Sequence, residues 1–158
     1  MLIHSTSQKE HWGTVDKLVE SWLKERQEMI LLYCAVDSLK EFTPKDTPTE
    51  IKVQAFTDIL IDYVSAGHFE IYDKLFQEAA DFNEDHTDFA HSILTRIQAS
   101  TQIAVDFHDK YANQNIGNAI IPELAADLSH LGEKLVERFD LEDQLIEMMH
   151  NRHRELVA

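Results

Sequence analysis

Only one cysteine, three prolines and four glycines occur in the 158 residues. With Cys34 alone, neither an intramolecular disulfide nor a cysteine-rich zinc site can form, which fits a reducing compartment. So few turn formers exclude an all-β fold, and a chain this apolar, 44% hydrophobic, is not disordered. Cationic residues are scarce too: 14 Lys and Arg face 29 Asp and Glu, a formal net charge of -15 with nine histidines counted neutral. Binding to phosphate needs Lys and Arg to displace counterions, so the expectation is no direct nucleic-acid binding and no membrane partner. A basic protein partner is the natural complement, although acidity also simply keeps a protein soluble. No apolar run approaches the roughly 18 residues that span a bilayer, and Met1 to Ser7 lack the basic start and long apolar run of a secretion signal. The expected location is cytoplasmic.

What is present is helical periodicity. From Thr14, apolar residues at Val15, Leu18, Val19, Trp22, Leu23, Met29, Ile30 and Tyr33 mark one helix face, extending to about Lys40. Thr47-Pro48-Thr49-Glu50 reads as a capping box opening a second helix, with Val53, Phe56, Ile59, Leu60, Tyr63 and Val64 on its core face. Ser65-Ala66-Gly67 interrupts, and Phe69, Tyr72, Leu75, Phe76 and Ala79 resume in a new phase. A fourth helix carries Phe89, Ile93, Ile97, Ser100, Ala104, Phe107 and Tyr111, and a fifth starts near Pro122 with Leu124, Leu128, Leu131, Leu135, Phe139, Leu145 and Met149. The expected fold class is all-α: an antiparallel up-and-down helical bundle with long helices and a short crossing third helix. It forms one domain over residues 1–158, residues 1–13 being a loosely ordered N-terminal segment. Breaks are expected near residues 42–47, 65–67, 81–86 and 113–121.

Two charges fall where the pattern asks for apolar residues, Arg26 and Glu142. Either each snorkels from a stripe edge, or the two meet inside the bundle as a structural ion pair. Nine histidines raise the question of metal. Of the Glu-x-x-His pairs that di-iron bundles use, only Glu147 with His150 fits, Asp88 with His91 and Asp127 with His130 being shorter near misses. His150 and His153 read as a solvated pair at a frayed C-terminal end. No metal site, no cofactor and no catalytic residue is therefore expected. There is no phosphate loop, nucleophile elbow or His-Glu-x-x-His motif, and Cys34 reads as a buried, inert thiol.

The stretch DYVSAGHFEIY, Asp62 to Tyr72, concentrates three aromatics, a histidine and a glycine in eleven positions. It can be a helix corner, with Gly67 at the bend and Phe69 and Tyr72 filling the core. It can equally present a protein-binding surface, because Asp62 lies off the apolar face and His68 and Glu70 flank the bend.

That stretch, together with Lys17-Leu18-Val19-Glu20-Ser21-Trp22-Leu23 and the block GEKLVERFDLED from Gly132 to Asp143, closely resembles the Rsd/AlgQ family of bacterial regulators of the primary sigma factor. The likeness spans roughly residues 15 to 149. The resemblance implies an anti-sigma factor rather than an enzyme. Such a helical bundle binds the C-terminal region of the housekeeping sigma subunit and withholds it from core RNA polymerase and promoter DNA. It also implies that Asp62, Tyr63, His68, Phe69 and Tyr72 contact the partner. That sigma region carries a helix-turn-helix with a basic DNA-facing surface, to which an acidic bundle is complementary. Two alternatives remain open: a histidine-rich metal-binding bundle, and an interaction protein of the same fold with a different partner.

Overall fold

The computed structural model describes residues 2–37, 49–112 and 121–157, and no strand occurs among them. Helix α1 spans Leu2–Asp37, α2 Thr49–Ala66, α3 Tyr72–Asp81, α4 Thr87–Tyr111 and α5 Ile121–Met149. A single 3-10 turn, Asn151–His153, leads into a short α6, Arg154–Val157. The expected capping residues Thr47 and Pro48 and the breaks near 42–47 and 113–121 lie outside the described residues, except Ile121, which opens α5. The break near 81–86 is a turn of residues 82–86, where Asn83 takes a positive φ of 58°. Asparagine tolerates that left-handed conformation better than most residues.

The core forms where the periodicity places it. On α4, Ile93, Ile97, Ser100, Ala104, Phe107 and Tyr111 are all buried, and on α5 Leu124, Leu128, Leu131, Leu135, Leu145 and Met149 join them. Against these pack Val15, Val19, Trp22 and Met29 of α1 and Val53, Phe56, Leu60 and Tyr63 of α2. The helices form a ring in which α1 neighbours α2, α2 neighbours α4, α4 neighbours α5, and α5 closes loosely back onto α1. Burial of a Leu- or Phe-sized side chain contributes about 1.5–3 kcal/mol, so these stripes are the main source of cohesion.

Two expectations about chain path change. No corner separates the second and third helices: Gly67–Ile71 form one π-helical turn, in which the Tyr72 amide donates to the Gly67 carbonyl five residues back. The chain from Thr49 to Asp81 is thus one rod with a wide turn in it. Gly67 reads as a bend because glycine disfavours helix, but its φ is not positive. Its value lies in space: a Cβ there would stand 2.8 Å from Trp22 Cζ2 and 3.2 Å from the Tyr72 hydroxyl. At the N-terminus, residues 2–13 are helical rather than loose. Trp12 explains part of this, since its indole donates to the His150 carbonyl at 3.0 Å and stacks on the His150 ring at 4.6 Å.

Candidate partner-binding surface and the polar core beneath it

A π-turn carries one residue more per turn than an α-helix, so its middle bulges away from the neighbouring rods. Gly67, Ile71 and Tyr72 remain inside while His68, Phe69 and Glu70 are pushed into solvent. Phe69 is 80% exposed, with the His68 ring against it edge-on at 4.9 Å. It does not fill the core, as a corner would have required. Asp62, one helical turn before the bulge, is exposed as well. Beside it on α1 lies Glu25, whose carboxyl is raised above the usual range by burial, by Asp62 and by Glu28, and whose Oε1 is buried without a hydrogen-bond partner. Glu25 escaped the sequence reading because it lies off the apolar stripe. Its adjacency to Asp62 comes from tertiary packing.

Tyr63 and Tyr72, also counted among the partner-contacting candidates, are 0% and 3% exposed, so they act from beneath the surface. Trp22 stacks flat on Tyr63 at 4.7 Å, meets Tyr72 edge-on, and donates its indole N–H to the Tyr63 carbonyl at 3.1 Å. Both tyrosine hydroxyls donate to Glu142, each at 2.6 Å and each to a different carboxylate oxygen. Burial, then the Glu142 charge, pushes both phenols far above the ordinary tyrosine range.

Glu142 is fully buried, and the side chain that balances it from within is Arg138, also 0% exposed. Arg138 Nε donates to Glu142 at 3.2 Å, Nη2 to the Tyr72 hydroxyl at 3.0 Å, and Nη1 to Ser100 and Thr101 at 3.1 and 2.7 Å. Arg26 approaches from α1, Nη2 lying 3.5 Å from Glu142 while Nε donates to Tyr63 at 2.9 Å and Nη1 to Asp143 at 2.7 Å. Its guanidinium covers the Phe139 ring at 4.7 Å. All four rods feed this cluster, so it fixes the ring arrangement under the π-turn. Arg138 was missed because charge argues for the surface. The signal was the spacing Leu135, Arg138, Glu142, Leu145, which continues the buried stripe.

A second cluster lies at the C-terminal end of α5. His150 and His153 are buried rather than frayed, and their Nδ1 atoms meet the two oxygens of buried Glu78 at 2.5 and 2.7 Å. The outer nitrogens face Asp16 and Glu84, both at 2.8 Å. Burial would lower the His150 pKa, but hydrogen bonds to Glu78 and Asp16 outweigh it and hold the imidazole above its ordinary value. Among the described residues no group of His, Cys, Asp and Glu is arranged to hold a metal ion. Cys34 is exposed, because neighbouring Tyr33 turns inward to donate to the Leu128 carbonyl at 3.0 Å. No helix among the described residues is long and apolar enough to cross a membrane.

Comparison with known proteins points one way. A family model described as regulator of RNA polymerase sigma(70) subunit, Rsd/AlgQ, matches residues 1–150. Among curated proteins, a regulator of sigma D from Yersinia pseudotuberculosis is 35% identical over 148 residues, covering 93% of this chain and 88% of its own. The Yersinia enterocolitica protein of that name is 34% identical over 93% of this chain and 89% of its own. That of Pectobacterium carotovorum is 30% identical over 96% and 99%. No solved structure matches the chain.

Proposed function

We propose that this chain, which belongs to the Rsd/AlgQ family of regulators of the RNA polymerase sigma(70) subunit, is a cytoplasmic anti-sigma factor. It binds the C-terminal region of the primary sigma factor through the outer face of the π-turn, and so withholds sigma from core polymerase and promoter DNA. The observation that carries the placement is Phe69, a large aromatic 80% exposed on a turn whose underside is fixed by Trp22, Tyr63 and Tyr72. An exposed aromatic on a rigid support, rimmed by His68, Glu70 and Asp62, has the make-up of a binding hot spot. The unpartnered oxygen of Glu25 beside Asp62 supports a cationic partner, because a Lys or Arg brought there would satisfy it. The net charge of -15 adds steering toward a basic helix-turn-helix. Sequestration needs no bond made or broken: free sigma falls by mass action as this protein rises toward sigma's concentration.

The test is binding of the isolated C-terminal sigma region by calorimetry or interferometry. Phe69→Ala is expected to weaken it at least tenfold, consistent with a hot-spot loss of about 2 kcal/mol. Asp62→Ala and His68→Ala should each weaken it several-fold. All three should melt within a few degrees of wild type, since none of these side chains is buried. Raising salt should slow association more than it speeds dissociation. Wild-type affinity in all three variants would remove the π-turn from the interface.

A further inference from the structure

The seam where α5 closes onto α1 lies across the ring from the groove between the π-turn and α4 that His68 lines. It contains an apolar groove of about 280 Å³. Met29, Tyr33, Leu135 and Phe139 form its floor. Its lips are Ile30, 40% exposed, and Val136, 68% exposed. Gly132 makes the groove possible, since a Cβ there would overlap the Tyr33 ring, and the Tyr33 hydroxyl is already spent on the Leu128 carbonyl. Phe139 and the Arg26–Asp143 pair close one end.

The edge of this groove is acidic. Along α5, Glu133, Glu137 and Asp140 are exposed at positions three before, one after and four after Val136. Lys134 is turned to Glu137 at 3.5 Å, and Arg26 is engaged by Asp143 at 2.7 Å. A groove between two antiparallel helices, apolar along its length, accepts the apolar face of a third helix. The rim decides which helix. A second copy of this chain would bring a net charge of -15 and the same row of carboxylates against themselves, a like-charge juxtaposition that disfavours association.

We propose that the α1–α5 groove is a second docking surface, which takes an amphipathic helix of a partner protein. That helix places Leu-like side chains against Ile30 and Val136 and carries Lys or Arg along its polar edge toward Glu133, Glu137 and Asp140. The proposal does not rest on the sigma reading. The groove and the π-turn face are lined by different residues.

Cys34, exposed and lining the groove, supplies a reporter as the only cysteine. The probe is an amidated 20-residue peptide with leucines at helical spacing and lysines and arginines flanking them. Its control has the same composition with the spacing scrambled. The amphipathic peptide is expected to slow reaction of Cys34 with an aromatic disulfide reagent at least fivefold, and the scrambled one to leave the rate unchanged. Val136→Glu should weaken the peptide at least tenfold with an unchanged melting temperature, and Phe69→Ala should leave peptide protection intact. Equal protection by the scrambled peptide would reduce the effect to charge adhesion and overturn the proposal. So would wild-type protection in Val136→Glu. Concentration-dependent protection of Cys34 in the protein alone would make a second copy the occupant instead.

Discussion

Two buried polar clusters hold this bundle, and they differ in the cation each uses. Under the π-turn, Glu142 is balanced by Arg138 and approached by Arg26. At the end of α5, Glu78 is balanced by His150 and His153. A guanidinium stays protonated at any pH a protein tolerates, and the Tyr63 and Tyr72 hydroxyls are pushed well above their ordinary range, so the first cluster is permanent. An imidazole titrates near neutrality, so the second is conditional. The His150 ring has a carboxylate oxygen at both nitrogens, an arrangement satisfied in full only by the doubly protonated form. The permanent cluster joins all four rods beneath the candidate sigma surface. The conditional one ties the C-terminal turn to α1 and α3.

The most severe way to break the comparison is Arg138→Met. It leaves Glu142 buried with its principal counter-charge gone, which costs about 3–5 kcal/mol, or roughly 10 °C in melting temperature for a domain of this size. The deficit should be no smaller at pH 9 than at pH 6, because the guanidinium removed stays charged throughout and an uncompensated buried carboxylate is relieved only toward acid. A deficit that shrinks with pH would mean that the first cluster is not permanent.

His150→Gln should cost less, about 1–3 kcal/mol at pH 6, by leaving buried Glu78 and half-buried Asp16 short of a donor. Its signature is the pH dependence. The folded-state pKa of His150 is raised above 6.5, so its stabilisation is fully present below that value and is lost as pH rises through the folded pKa. The groups facing the ring are Glu78 from α3, Asp16 from α1 and the stacked Trp12, with Arg154 4.0 Å from Asp16. Wild type should therefore lose stability as pH rises above about 6.5, and His150→Gln should lose less. Equal slopes in urea denaturation series would show that the imidazole is not the titrating latch.

Gly67→Ala is milder and acts on the permanent side. The added Cβ at 2.8 Å from Trp22 must displace a ring that stacks on Tyr63, for about 1–2 kcal/mol of overpacking with no pH dependence. A neutral or stabilising result would mean that the π-turn relaxes to an ordinary helix, and near-ultraviolet circular dichroism of Trp22 would report it.

These variants also mark where the sequence is legible. The α4 stripe from Ile93 to Tyr111 reads directly, since apolar residues at steps of three and four have one common face. Arg138 and Glu78 sit on such stripes too, yet composition argues that charges belong outside, and only tertiary packing supplies their partners. His150 and His153 read as fraying because Glu78, some 70 residues away, is invisible to local pattern. The π-turn hides for another reason: a glycine required for clearance looks in sequence like a glycine required for a bend. Consequently Asp62, His68 and Phe69 are surface residues, whereas Tyr63 and Tyr72 serve the scaffold below.

The smallest effect sharpens the comparison most. Glu84 bounds the conditional cluster on its outer side, accepting from His153 at 2.8 Å and His86 at 3.0 Å. Burial would raise its carboxyl, but those hydrogen bonds prevail and hold it below its ordinary value of 4.5. Its contribution thus has the opposite sign to that of His150: it is present above about pH 4.5 and lost as pH falls through the folded pKa. The side chain is 34% exposed, so solvent screening leaves only a few tenths of a kcal/mol. Global melts will not resolve that, but amide exchange of residues 151–157 can, because local opening of a short terminal turn is far easier than global unfolding. Glu84→Gln should speed their exchange about twofold at pH 6, match wild type once pH has fallen below the folded pKa of Glu84, and leave the alkaline loss due to His150 intact. If exchange at pH 6 is unchanged, the latch ends at His153 and only its alkaline limit is built into the fold.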